Sequence, residues 1–179
     1  MISGGHSLLI NAKSLGDYEI IGQTIDDAVG EAFDKVSKIL ELGYPGGPKI
    51  EAIAKQGDND AFNFPRPMTN KKNLDFSFSG LKTAVFYEYK KLNNVSHVQK
   101  SNIAASFQAA VADTLLHKTK NALKQTGLNE LVIGGGVASN KYIRDRLISE
   151  LKDYKIFFPP IERCTDNGAM IAYAGSLYL

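Results

Sequence analysis

The sequence predicts an α/β fold with a largely parallel sheet. Three observations carry that prediction. Short apolar runs at 7–12, 18–22, 130–133 and 154–158 read as strands. Between and after them, apolar residues recur every three to four positions, which is helical spacing. Glycine-rich turns stand at the joints, above all Gly134-Gly135-Gly136 between a strand and a helix.

Each element has its own signal. Residues 7–12 and 18–22 flank Gly16-Asp17 and form a hairpin. A helix begins at Asp26-Asp27, where Thr24 and Asp27 make a capping box with Asp in place of the usual Glu. Ala28, Ala32, Val36 and Leu40 are four apart, with Val29, Phe33 and Ile39 widening the stripe, so this helix spans roughly four turns. Gly43-Tyr44-Pro45-Gly46-Gly47-Pro48 ends it. Residues 49–75 are irregular, apart from a short helix at 50–55. A helix follows over 81–91 and stops at Asn93-Asn94. The longest helix starts at Ser101; Ile103, Phe107, Val111 and Leu115 set its buried stripe, and Gly127 closes it. The last third alternates: strand 130–133, a helix from about Ser139, strand 154–158 stopped by Pro159-Pro160, and a final helix opened by Thr165-Asp166-Asn167-Gly168.

Composition narrows the function classes. A chain of 179 residues is one domain, or one domain with a substantial insertion. With 44% apolar and 22% charged residues, it is neither disordered, collagenous nor a coiled coil. Lys plus Arg is 21 and Asp plus Glu is 19, so the net charge of +2 is no signature of nucleic-acid binding. The single cysteine, Cys164, excludes an intramolecular disulfide and reads as a buried, inert thiol in a reducing compartment. No apolar run reaches the length of about 18 residues that spans a membrane. No basic-then-apolar leader opens the chain, so no secretory signal is expected. Met1-Ile2 run straight into Ser3-Gly4-Gly5-His6, which reads as a tail or as a start inside a larger architecture.

Chemistry concentrates in four glycine-rich segments: Ser3-Gly4-Gly5-His6, Pro45-Gly46-Gly47-Pro48, Gly134-Gly135-Gly136 and Asp166-Asn167-Gly168. Bare backbone N–H groups at a helix start suit an anion or a nucleotide. The same glycines also serve tight turns, and neither a P-loop nor a dinucleotide fingerprint is present. Asp166 reads as a helix cap or as a metal or nucleotide ligand; Asp34, four residues after Gly30, reads as a solvated helix face. His6, His97 and His117 form no HxxxH or HExxH pair, so no zinc site is recognisable. His97 falls in a polar loop and His117 on a helix, both at the surface. The lysines and arginines from Lys71 to Arg146 are scattered and read as solvated faces.

Together these segments resemble a known family. The motifs occur in order: Ser3-Gly4-Gly5-His6; Thr24-Ile25-Asp26-Asp27-Ala28-Val29-Gly30-Glu31-Ala32-Phe33-Asp34-Lys35; Gly43-Tyr44-Pro45-Gly46-Gly47-Pro48; Phe62-Asn63-Phe64-Pro65-Arg66-Pro67-Met68; Asp75-Phe76-Ser77-Phe78-Ser79-Gly80-Leu81-Lys82-Thr83; Gly135-Gly136-Val137-Ala138-Ser139-Asn140; and Cys164-Thr165-Asp166-Asn167-Gly168-Ala169-Met170. The chain resembles the C-terminal half of the TsaD family, bacterial tRNA N6-adenosine threonylcarbamoyltransferases formerly described as glycoproteases. The resemblance implies an RNase H-like lobe of the ASKHA (actin, sugar kinase, Hsp70) fold, with a helical insertion over about 44–125 and an N-terminal lobe absent from this chain. It implies transfer of threonylcarbamoyl from threonylcarbamoyl-AMP, an adenine nucleotide, to N6 of the adenosine beside the tRNA anticodon.

Site residues follow by the same resemblance. Ile2, Ser3, Gly4, Gly5, Asp34, Gly47 and Asn140 are implied to bind substrate. Asp166 is implied to bind one divalent metal ion, iron or zinc, whose two histidine ligands belong to the other half. The fragment alone is therefore expected to be inactive. No covalent nucleophile is expected. The implied partners are tRNA, the adenylate and the proteins TsaB and TsaE, in the cytoplasm and with no membrane. The start at Met1 reads as a cut through a strand, which would leave an open edge and invite self-association. Two other readings stay open: a zinc-dependent glycoprotein endopeptidase, and a non-catalytic nucleotide-binding or assembly module.

Overall fold

The computed structural model describes residues 1–178. Strands β1 (Leu8–Ser14) and β2 (Asp17–Gln23) form the predicted antiparallel hairpin, with register breaks after Leu9 and Ala12. Strands β3 (Glu130–Val132) and β4 (Lys155–Phe157) pair in parallel, Leu131 opposite Ile156. The expected largely parallel sheet is thus replaced by two separate two-stranded sheets. The gap between them is crossed by one residue. The Ile2 N–H donates to the Gly134 carbonyl at 2.8 Å, and Ile2 also pairs with Ser7. With only that bridge, the pleat cannot continue from one pair to the other.

Six helices complete the described residues: α1 (Val29–Ile39), α2 (Gly46–Ala54), α3 (Ser79–Lys91), α4 (His97–Thr126), α5 (Lys141–Glu150) and α6 (Gly168–Ser176). Between β2 and β3 every regular element is helical. Helix α4, the longest at 30 residues, runs through the core. Ile103, Phe107, Val111 and Leu115 are buried as their spacing requires, and Phe107 meets Phe33 of α1 edge to face at 5.1 Å. Polar side chains on α4 pin the irregular stretch beneath them. Asn102 Oδ1 accepts from the Asp58 N–H, and Ser106 Oγ donates to the Asp58 carbonyl. Asp113 accepts from Arg66, and the Lys118 ammonium donates to the Asn73 carbonyl at 2.6 Å. A segment with no regular hydrogen bonds of its own is held by those of its neighbour.

Helix caps depart from local prediction because distant residues supply them. Helix α1 starts at Val29, later than expected, and the Val29 N–H donates to Ser7 Oγ. Asp27 does not close a capping box; its carboxylate accepts from Lys35 at 2.7 Å, while Glu31 takes the Ala28 N–H. Asp26 instead caps α3, accepting from the N–H groups of Phe78 and Ser79 and from the Ser77 hydroxyl. Helix α4 begins at His97, four residues before the expected Ser101, because Ser96 and Gln99 form a capping box. His97 is therefore helical, not in a loop. Two basic residues read as solvated are also not so: Lys118 is fully buried, and Arg144 is partly buried against its neighbours.

Candidate functional site: a nucleotide-sized cleft

Helices α1, α2 and α5 direct their N-termini at one cleft of about 340 Å³, inside the range of small-molecule sites. Gly30, Phe33 and Asp34 of α1 form one wall. Tyr44, Pro45, Gly47, Pro48 and Glu51, before and along α2, form a second. Gly4, the segment Gly136, Val137, Ser139 and Asn140, and Thr165 close the third. Three partial positive helix ends around one space favour an anionic ligand.

The glycines divide by what surrounds them. At Gly46 a Cβ would sit 2.5 Å from the Asp34 Cα, so this glycine lets α2 approach α1. Gly135 has φ 102, and a Cβ there would reach 2.3 Å from the Ile2 carbonyl oxygen, so no other residue fits this turn without displacement. Gly4, Gly5 and Gly47 are different: a Cβ on any of them meets no atom within 4 Å. Packing does not demand glycine at those three positions. The Gly4 and Gly5 N–H groups donate to no acceptor among the described residues. Open space before bare backbone is what close approach of a phosphate needs.

Carboxylates stand on the same walls. Asp34 Oδ1 accepts from the Gly46 N–H at 2.7 Å, which fixes the side chain at the cleft edge and leaves Oδ2 free. Glu51 Oε1 accepts from the Lys141 N–H at 2.9 Å, at the start of α5. Each joins two walls and retains an oxygen able to accept from a hydroxyl. Asn140 is buried at 5% exposure. Its Oδ1 caps α5 by accepting from the Ile143 N–H, and its Nδ2 donates to Gln108 Oε1 at 2.8 Å. It lines the cleft while both polar ends of its side chain hold the framework.

The structure thus brings Gly4, Asp34, Gly47 and Asn140 to one cleft. Ser3 borders it: its carbonyl accepts from the Gly30 N–H at 3.1 Å, and its hydroxyl accepts from the His6 N–H at 3.0 Å. Gly5 is exposed beyond Gly4. Ile2 is buried and acts from beneath, its carbonyl accepting from the Val137 N–H. Asp34 is not a solvated helix face. Asp166 is not a cap either; Asn167 caps α6 by accepting from the Met170 N–H. Asp166 is exposed, next to the cleft residue Thr165.

Glu51 and Tyr44 escaped the sequence reading. Glu51 had a usable signal: it lies four residues after Gly47 on a helix, hence on the same face. No other side chain joins Asp166 in a metal-ligating group, since no cluster of three His, Cys, Asp or Glu occurs among the described residues. One exposed carboxylate does not make a metal centre, so the residues of this chain do not by themselves fit the implied ion.

Behind the cleft, Arg144 of α5 ties three segments together. It donates to the carbonyls of Ala138 and Pro159, contacts Cys164 Sγ at 3.0 Å, and stacks on Phe158 at 4.6 Å. The free thiol is buried, as expected. No helix among the described residues is long and apolar enough to cross a membrane.

The family model for TsaD, tRNA N6-adenosine threonylcarbamoyltransferase, matches residues 1–173. A protein of that description from Thermosipho africanus is 52% identical over 177 residues, covering 98% of this chain and 53% of the relative. Another, from Herminiimonas arsenicoxydans, is 50% identical over 182 residues, covering 100% and 53%. The chain therefore spans about half the length of the curated relatives it matches. Two solved structures share the fold. Full-length HypF in its phosphate- and nucleotide-bound form has a TM-score of 0.63 at 19% identity, over 83% of this chain and 24% of that one. HypF of T. kodakarensis has a TM-score of 0.64 at 21% identity, over 90% and 21%. The extent of the family match and the identity to these relatives place the chain in the TsaD family.

Proposed function

We propose that this chain is the nucleotide-binding half of an enzyme that moves a threonylcarbamoyl group from threonylcarbamoyl-AMP to N6 of the adenosine beside a tRNA anticodon. The observation that carries the reading is the cleft at which three helix N-termini, open glycine backbone and two anchored carboxylates converge. In this reading the Gly4 and Gly5 N–H groups receive the nucleotide phosphate, Gly47 allows close approach, and Asp34 accepts from a ribose hydroxyl. Ile2 and Asn140 hold the walls in place. Asp166 is one donor to a divalent iron or zinc ion whose other ligands lie outside this chain.

On the same reading the chain is the C-terminal, RNase H-like lobe of an ASKHA fold, with residues of about 44–125 as its helical insertion. It works in the cytoplasm with TsaB and TsaE, is inactive without the other half, and self-associates through its open strand edges. Calorimetric titration of the chain with AMP tests the binding. Saturable binding that Asp34→Ala weakens about tenfold or more supports it, since a hydrogen bond to a charged group contributes about 1.5–3 kcal/mol. No binding at millimolar AMP refutes it. Modified adenosine formed by the chain alone would refute the dependence on a second half, and a monomer at high concentration in sedimentation would refute self-association.

A further inference from the structure

A second cavity adjoins the cleft. It measures about 560 Å³ and is lined by Asp34, Lys35, Lys38, Glu41, Gly43 and Tyr44. It shares Asp34 and Tyr44 with the first, so the two cavities adjoin at that pair of residues. Gly30, Asp34 and Lys38 are four apart on α1, so one helix face runs from the inner cleft to the outer cavity.

The outer cavity differs in chemistry from the inner one. Its charges are mostly spent. Lys35 is held by Asp27 at 2.7 Å and by Glu31 at 2.8 Å. Glu41 is paired with Lys100 at 2.9 Å, and that ammonium, with Tyr89 adding to it, holds the Glu41 carboxyl below its ordinary range. Lys38 is exposed and forms no ion pair among the described residues. Tyr44 is 80% exposed, a large apolar ring standing in solvent between the two spaces. A free cation beside an open aromatic face is the pairing that single-stranded nucleic acid uses: the ring stacks a base and the ammonium meets the backbone.

We propose that the outer cavity receives an unpaired RNA nucleotide next to the reacting adenosine, with its base on Tyr44 and its phosphate at Lys38. This rests on the reading of the inner cleft as the donor-nucleotide site. An acceptor presented to that cleft must arrive through a neighbouring opening, and this is the neighbour that shares two of its residues.

The test measures two affinities of the chain in parallel, for an unmodified tRNA transcript and for AMP. Tyr44→Ala is expected to weaken tRNA binding about tenfold, the loss of one stacked base. Lys38→Glu is expected to weaken it several-fold and to lower the slope of log affinity against log salt by at least about one. AMP binding of Lys38→Glu stays unchanged. Wild-type chain that binds tRNA and AMP, with tRNA affinity unmoved by either substitution, overturns this inference and leaves the cleft reading intact. Chain that binds AMP and no tRNA does the same. Chain that binds no AMP overturns the cleft reading and the inference with it.

Discussion

Asn140→Ala separates framework from ligand contact at a position that borders the cleft. Two losses add. The first is the α5 cap, where Asn140 Oδ1 accepts from the Ile143 N–H at 3.0 Å. Replacing a capping Asn by Ala costs about 1 kcal/mol. The second is the partner of Gln108. That residue is 3% exposed, and its Oε1 accepts from Asn140 Nδ2. A buried acceptor left without a donor costs about 1–3 kcal/mol. The sum is about 2–4 kcal/mol, a large share of the stability of an ordinary domain. With a urea slope of about 2 kcal/mol per molar, the midpoint falls by roughly 1–2 M. Circular dichroism in urea reads that shift. Gln108→Leu on its own strands Asn140 Nδ2, so the two substitutions should not add. The double variant is expected to recover about 1–2 kcal/mol relative to the sum of the singles. A midpoint within about 0.3 M of wild type, or strict additivity, would refute this account of Asn140 and return the residue to direct ligand binding.

Three further substitutions probe the frame. Gly135→Ala puts a Cβ against the Ile2 carbonyl at a left-handed φ, so it should cost about 3 kcal/mol or more in urea unfolding and weaken AMP binding, since Val137 and Ser139 follow that turn. Arg144→Lys removes the fork that joins Ala138, Pro159 and Cys164, and the thiol should then react with a disulfide reagent at least several-fold faster in the native state; an unchanged rate would count against the clamp. Lys118 gives a pH signature. Burial pushes its ammonium below the usual 10.5, opposed by the nearby charge of Asp75. The folded chain thus releases that proton at lower pH than the unfolded chain. Between those two values the unfolded chain holds more protons, so this group's contribution to stability increases with pH. Lys118→Met should remove that rise from urea midpoints measured from neutral pH up to 10.5, and an unaltered slope would contradict it.

What could be read from the sequence was local and periodic. The hairpin, the buried stripe of α4, the ending at Gly127 and the alternation of strand and helix in the last third rest on residues near one another, and the structure reproduces them. What escaped depends on residues far apart. Asp26 lies two residues before the α1 cap, yet it caps α3 some fifty positions later. Ser7 caps α1 across twenty-two positions. Among the described residues, the two strand pairs read as one sheet are joined only through Ile2. Asp34 and Gly47 line the cleft and Asp166 stands beside its Thr165; each is singled out only by resemblance to a family pattern, since each alone reads as an ordinary helix or turn residue. Glu51 was legible by helical spacing once Gly47 was placed, whereas nothing in the sequence marked Tyr44 as a wall shared by two cavities.

The cleft is built chiefly from backbone, and that has a chemical consequence. Gly4, Gly5 and Gly47 offer N–H groups and open space; the N-termini of α1, α2 and α5 offer partial charge. Asp34, Glu51 and Tyr44 bring the titratable side chains of its lining, and each carboxylate has one oxygen committed to a neighbouring helix start. Neither histidine nor cysteine lines it. Such a surface binds and orients an anion well, because fixed dipoles need no reorganisation when charge develops on the ligand. Its carboxylates act as anchored hydrogen-bond acceptors, each holding a backbone N–H at a helix start. On the proposed function the division is one of labour: this half would hold and orient the nucleotide, and groups from outside it would take the proton that the attacking amine releases. Substitutions within this chain's cleft should therefore act first on the affinity for nucleotide. Asp34→Asn is expected to raise KM for the adenylate in the complete enzyme far more than it lowers kcat, and a fall in kcat at unchanged KM would place proton transfer here instead.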